Sequence, residues 1–111
     1  MTVAASLSIT AHPEGVLARM KVLWARPVVD VSGVKHAFRW LTTHRFVMQP
    51  GRQTITVYFE RKDSMGGHAT TQLDVGPGET VFVIATLRGR DAFELEVRRD
   101  PPDPLLTNRA I

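Results

Sequence analysis

The sequence predicts an all-β protein: an antiparallel β-sandwich of seven to eight short strands followed by an extended C-terminal arm. Three observations carry this expectation. Apolar residues recur at every second position through most of the chain, giving each segment one apolar and one polar face. Turn residues punctuate the alternation at short intervals, and Pro-Gly stands directly before two of the most regular strands, at Pro50-Gly51 and Pro77-Gly78. No stretch holds apolar residues at three-to-four spacing over a helix's length. The segment Val34 to Leu41 comes nearest, and it alternates.

The elements follow in order. In "LARMKVLW", Ala18, Met20, Val22 and Trp24 share a face, with Arg19 and Lys21 opposite. "PVVDV" opens on Pro27, whose missing N–H is tolerated at a strand's first position. Ser32-Gly33 then makes a tight turn into "VKHAFRW", where His36, Phe38 and Trp40 face one way and Lys35 and Arg39 the other. "HRFVM" leads into Pro50-Gly51, a pair suited to a type II turn because Pro presets φ and Gly accepts a positive one. Beyond it Ile55, Val57 and Phe59 oppose Thr54, Thr56, Tyr58 and Glu60. "KDSMGGHA" reads as a polar loop whose paired glycines permit turning. "ATTQLDV" aligns Thr71, Leu73 and Val75 ahead of the second Pro-Gly. "TVFVIATL", apolar on both faces, is expected as a central strand covered on both sides. "AFELEV" closes the set, with Phe93, Leu95 and Val97 facing in. Each Pro-Gly fixes the register of the strand after it, because a slip by one residue would turn Ile55, Val57 and Phe59 to solvent.

At 111 residues, one core is affordable and two are not. The expected division is a sandwich over residues 1–99 and a Pro-rich arm over 100–111. In that arm Pro101, Pro102 and Pro104 forbid a helix before Leu105.

The stretch Val29-Asp30-Val31-Ser32-Gly33, the turn Met48-Gln49-Pro50-Gly51, the strand Thr54 to Phe59 and their continuation from Asp74 to Ala85 together resemble a known grammar. It is that of small actinobacterial-type β-sandwich domains with a Pro-Gly turn signature, similar to PEGA-type domains. The resemblance spans about two-thirds of the chain. It implies a non-catalytic accessory or binding role and carries no site residues across.

Composition narrows the chemistry. With no cysteine there is no thiolate nucleophile, disulfide or Cys-based metal site. The longest apolar run, Val81 to Ala85, falls far short of the roughly 20 residues that span a bilayer. The N-terminus lacks the charged and apolar regions of a signal peptide. The expectation is a cytoplasmic protein, or one assembled into a phage or other protein particle, with no membrane insertion. His12, His36, His44 and His68 are scattered, and a metal site would have to gather them from separate strands with Asp63 or Asp30. Ser64, four residues before His68, sits in no nucleophile elbow. Glu94 and Glu96 share a strand face beside basic residues. No Gly-rich phosphate loop occurs. No enzyme, cofactor or metal is therefore expected.

The net charge of +3 is uneven. Residues 1–62 hold nine Lys/Arg against three Asp/Glu, and residues 63–111 hold five against eight. Opposite charges pairing between neighbouring strands would account for this. So would a basic face of Lys35, Arg39, Arg45 and Arg52 for an anionic partner, with Trp40 or Tyr58 as a stacking surface for nucleic acid. Alternation argues against the stacking role, because it sets Trp40 opposite Lys35 and Arg39. The expected function is a non-catalytic protein-interaction or structural and assembly module that binds another protein or its own copies. The alternative is a binder of nucleic acid or another anionic partner. The candidate partner-binding residues are Leu105, Leu106 and Ile111 on the arm, and Lys35, Arg39 and Arg45 on the basic face. A stiff proline-held arm loses little entropy on docking into a groove or onto a sheet edge. An arm that packs back on its own domain, or a plain disordered tail, is the other possibility.

Overall fold

The computed structural model describes residues 4–15, 20, 25–62, 65–88 and 92–99. It is all-β. Eight strands are formed: β1 (Ala5–Glu14), β2 (Arg26–Val31), β3 (Val34–Ala37), β4 (His44–Met48), β5 (Gly51–Glu60), β6 (Met65–Val75), β7 (Thr80–Arg88) and β8 (Ala92–Arg98). They form one sheet in the order β3-β2-β5-β6-β8-β7-β1-β4, curled into a half-barrel. One ladder, β3-β2-β5-β6, is antiparallel throughout. It meets the other, β8-β7-β1-β4, at a single parallel bridge between Gly67 and Ala92.

The expectation of antiparallel strands throughout is corrected. β1 runs parallel to β7, from Ser6 opposite Thr80 to Glu14 opposite Arg88. β1 itself is a strand that the sequence reading did not assign, although Ala5, Leu7, Ile9 and Ala11 alternate there with Ser6, Ser8, Thr10 and His12. All four apolar members of that series are fully buried. The strand expected over 17–24 lies, apart from Met20, outside the described residues, as does the arm over 100–111.

The core is the inward face of nearly every strand. Leu7 and Ile9 of β1, Val29 of β2, Ile55 and Val57 of β5, and Val81, Val83 and Leu87 of β7 are almost wholly removed from water. At about 1.5–3 kcal/mol for each such side chain, this burial is the main force holding the curl. Phe59 and Phe93 belong to the same cluster, their rings 6.4 Å apart. Two expected inward residues of β8 behave differently: Leu95 is half-buried and Val97 is exposed. β7 is central, between β8 and β1, yet Phe82 and Ile84 on its outer side are only half-buried. It is covered on one face, so its doubly apolar character exceeds what the core requires.

The turns match the sequence closely. Ser32, with φ 48, and Gly33, with φ 96, form a two-residue hairpin loop, and the Asp30 carboxylate accepts the Gly33 N–H at 2.7 Å. Pro77-Gly78 is closed by the Glu79 N–H donating to the Gly76 carbonyl at 3.1 Å, and Gly78 takes the positive φ that a type II turn demands. At Pro50-Gly51 the Gln53 side chain takes over, its Nε2 donating to the Gln49 carbonyl at 2.7 Å.

The glycine-rich loop is also corrected. β6 starts at Met65, so Gly66 lies within a strand. It sits opposite Phe59, next to a register shift in β5. A Cβ on Gly66 would lie 2.8 Å from Phe59 Cζ. Close approach of a ring, not turning, is what this glycine serves.

Phe59→Ala and Phe93→Ala are each expected to cost ~3–5 kcal/mol in urea denaturation, the usual loss for a buried ring. Gly66→Ala should cost ~1–3 kcal/mol through overpacking, and the pair Gly66→Ala with Phe59→Leu should recover part of that loss.

Candidate interaction site

β3 and β4 follow each other in sequence but lie at opposite ends of the sheet. The curl brings these two edges face to face. The His36 ring of β3 stacks on Phe46 of β4 with centroids 4.5 Å apart and planes 23° from parallel. His44 also stacks on Phe46, at 6.2 Å, and Phe38 meets His44 edge-on at 6.0 Å. The Arg39 backbone N–H donates to His44 Nε2 at 3.4 Å. No backbone ladder joins β3 to β4. Among the described residues the half-barrel therefore has a seam, bridged by rings and open along its backbones.

At one end the seam widens into a cavity of about 400 Å³, with Val34 and His36 on the β3 side and Val47 and Met48 on the β4 side. Its floor is a polar strip already bonded to itself. Ser32 Oγ donates to Gln53 Oε1 at 2.6 Å and accepts the Thr54 N–H, while Gln53 Nε2 serves the Gln49 carbonyl. Gln53 is buried for this reason. The rim is apolar: Val34 is 58% and Val47 74% exposed, both on edge strands, where natural proteins usually place charge.

Charge flanks this rim. Lys35 adjoins His36, Arg45 adjoins Phe46, and Arg39 lies in the link between the strands, all three exposed. Arg45 Nη2 donates to Thr80 Oγ1 at 3.1 Å. Among the described residues none of the three has a carboxylate partner. Of the seven other described lysines and arginines five do, Arg26 with Glu60, Arg52 with Asp74, Arg88 with Glu14 and Glu94, Arg98 with Glu96, and Arg99 with Glu79, while Arg61 and Lys62 after β5 do not. Cross-strand pairing thus absorbs part of the charge asymmetry, and it removes Arg52 from the basic face. It also gives Glu94 and Glu96 cationic neighbours.

The rings considered for base stacking are engaged elsewhere. Trp40 is half-buried against Phe93 at 5.8 Å, with its Nε1–H donating to the Ala25 carbonyl at 2.9 Å. Tyr58 is buried and stacks on His68 at 4.8 Å. Among the described residues no three His, Asp or Glu side chains converge as a metal-holding group. Ser64 and Asp63 lie outside the described residues, as do Leu105, Leu106 and Ile111. The described residues contain no helix long and apolar enough to cross a membrane. The structure thus brings Lys35, Arg39 and Arg45 to one seam. It adds His36, Phe46, Val34, Val47 and Gln53, which the sequence did not mark as a site. Their one visible signal was apolar residues on short strands beside cations, and only the topology makes those strands the two edges.

Gln53→Leu should cost ~1–3 kcal/mol in urea denaturation, because the Ser32 hydroxyl and the Gln49 carbonyl lose their partner together. Phe46→Ala should cost roughly 0.5–1.5 kcal/mol for the lost stacking, beyond the loss of its buried area, and should speed amide exchange in β3 and β4 more than in β5 or β7. No family model matches this chain, and no curated protein matches it.

Proposed function

We propose that this protein is a non-catalytic interaction module that receives an extended segment of a partner protein at the open seam. The observation that carries the reading is the pair of sheet edges, β3 and β4, unpaired among the described residues and facing each other across a preformed cavity with an apolar rim. An edge strand presents free N–H and C=O groups, and an extended segment satisfies them by adding a strand while its alternate side chains enter pockets. The exposed Val34 and Val47 supply apolar area at that position. The role agrees with the accessory function that the resemblance to PEGA-type domains implies, and with a structural or assembly component. In this reading the two ladders work as the layers of a small sandwich whose open side is the binding side. Nucleic acid is the second reading, favoured by the unpaired Lys35, Arg39 and Arg45. The two rings considered for base stacking do not support it, since Trp40 packs on Phe93 and Tyr58 on His68.

A random peptide library displayed on phage and panned on the protein tests the proposal. Clones of extended, alternating sequence should be enriched. Val34→Lys and Val47→Lys should each weaken them by about tenfold, or ~1.4 kcal/mol, at an unchanged melting temperature. Clones that bind both variants as tightly as the wild type would place the site elsewhere.

A further inference from the structure

We infer that the segment received at the seam is acidic and alternating, with apolar residues turned into the cavity and Asp or Glu turned out onto Lys35, Arg39 and Arg45. The inference rests on the reading of the seam as a strand-addition site and specifies the chemistry of its partner. Successive residues of a strand point to opposite faces, so a segment lying in the seam shows alternate side chains to the inside and to the outside. Inside, it meets Val34, His36 and Met48 above a floor whose Ser32 and Gln53 are bonded to each other, while Val47, on the same strand face as Arg45, stands at the rim. Apolar side chains suit that environment, and a charged one would be desolvated there without a partner.

Outside, it meets three cations. His36 and Phe46 stack across the seam, so Lys35 and Arg45, each the neighbour of a stacked residue, leave from its two banks. Arg39 stands beside the same stack, its N–H on His44. Five other arginines are matched to carboxylates; among the described residues the unmatched cations are these three at the seam and Arg61 and Lys62 after the far end of β5. The bank charges also decide between occupants. A second copy adding through its own β3 or β4 would bring Lys35 or Arg45 against like charge, which destabilises a strand pair. An acidic segment turns the same charges into attraction and fast, salt-sensitive association.

Four labelled probes test this by fluorescence anisotropy at low and moderate salt: a peptide alternating valine and glutamate, one alternating valine and lysine, one holding the same valines and glutamates in two blocks, and a mixed single-stranded oligonucleotide. The alternating acidic peptide should bind at least about tenfold more tightly than the other three and weaken as salt rises. Lys35→Glu, at a side chain bonded to no described residue, should remove most of that preference. Lys35→Glu with Arg45→Glu should reverse it toward the lysine peptide. Circular dichroism melting of both variants confirms the fold. Equal binding of the glutamate and lysine peptides, still lost in Val34→Lys, overturns the acidic preference and leaves strand addition standing. Equal binding of the block peptide overturns the alternation, and tighter binding of the oligonucleotide overturns the choice of a peptide. If no peptide binds, the inference fails, and the display experiment decides separately whether the seam binds segments at all.

Discussion

An eight-stranded sheet with one apolar face has to bury that face against something, and here it buries it against itself. That constraint organises the molecule. Leu7, Ile9, Val29, Ile55, Val57, Val81, Val83 and Leu87 come from both ladders and share one core. They meet because the sheet curls, and along the sheet the two ladders are joined by the single Gly67–Ala92 bridge. The curl then carries the first and last strands of the sheet toward each other. The seam, its ring stack and its cavity are consequences of where the core lies. Curling without closing leaves two edges unpaired among the described residues, which a fully closed barrel would have removed.

The relative weights of the forces agree with this ordering. The ion pairs lie at the surface, with both partners of the Arg52–Asp74 pair more than 70% accessible, and such surface pairs contribute at most about 1 kcal/mol each. They tune the surface and do not hold the fold. The buried polar groups matter more for specificity. The Ser32–Gln53 bond ties the β2–β3 hairpin loop to β5, and so joins the floor of the cavity to the loop from which β3 starts. The Asp30 carboxylate closes the same loop from the other side. The loop that positions one bank of the seam is thus fixed by side chains at both of its ends.

The all-β class, seven of the eight strands and both Pro-Gly turns were legible because each depends on local chemistry: alternation, a preset φ and a glycine able to take a positive one. β1 was equally legible by alternation, but its spaced Ala5, Leu7, Ile9 and Ala11 are small or isolated, without the aromatic and β-branched density of β5 or β7. Gly66 misled for a different reason. A glycine in sequence does not say whether it serves a turn or yields space to a ring, and Phe59 lies on another strand. The same limit hid the candidate site. Lys35, Arg39 and Arg45 were identifiable as a basic group, but the cavity depends on which strands become edges. That follows from pairings such as β1 with β4, which no local pattern encodes.

The parallel pairing of β1 with β7 has a bearing on how the chain reaches its native state. As a ribosome releases the protein from its N-terminus, Leu7 and Ile9 emerge early, while Val81 and Val83 beside them emerge late. Until then β1 has only β4 to pair with, and its apolar side has no complete core. Closing so long a loop must precede the contacts that reward it, which places this topology among the slow folders. During that interval the exposed Ala-Ser-Leu-Ser-Ile run is an unpaired strand in search of an edge. Its interspersed serines, which lower the apolar density of the strand, make that wait less hazardous.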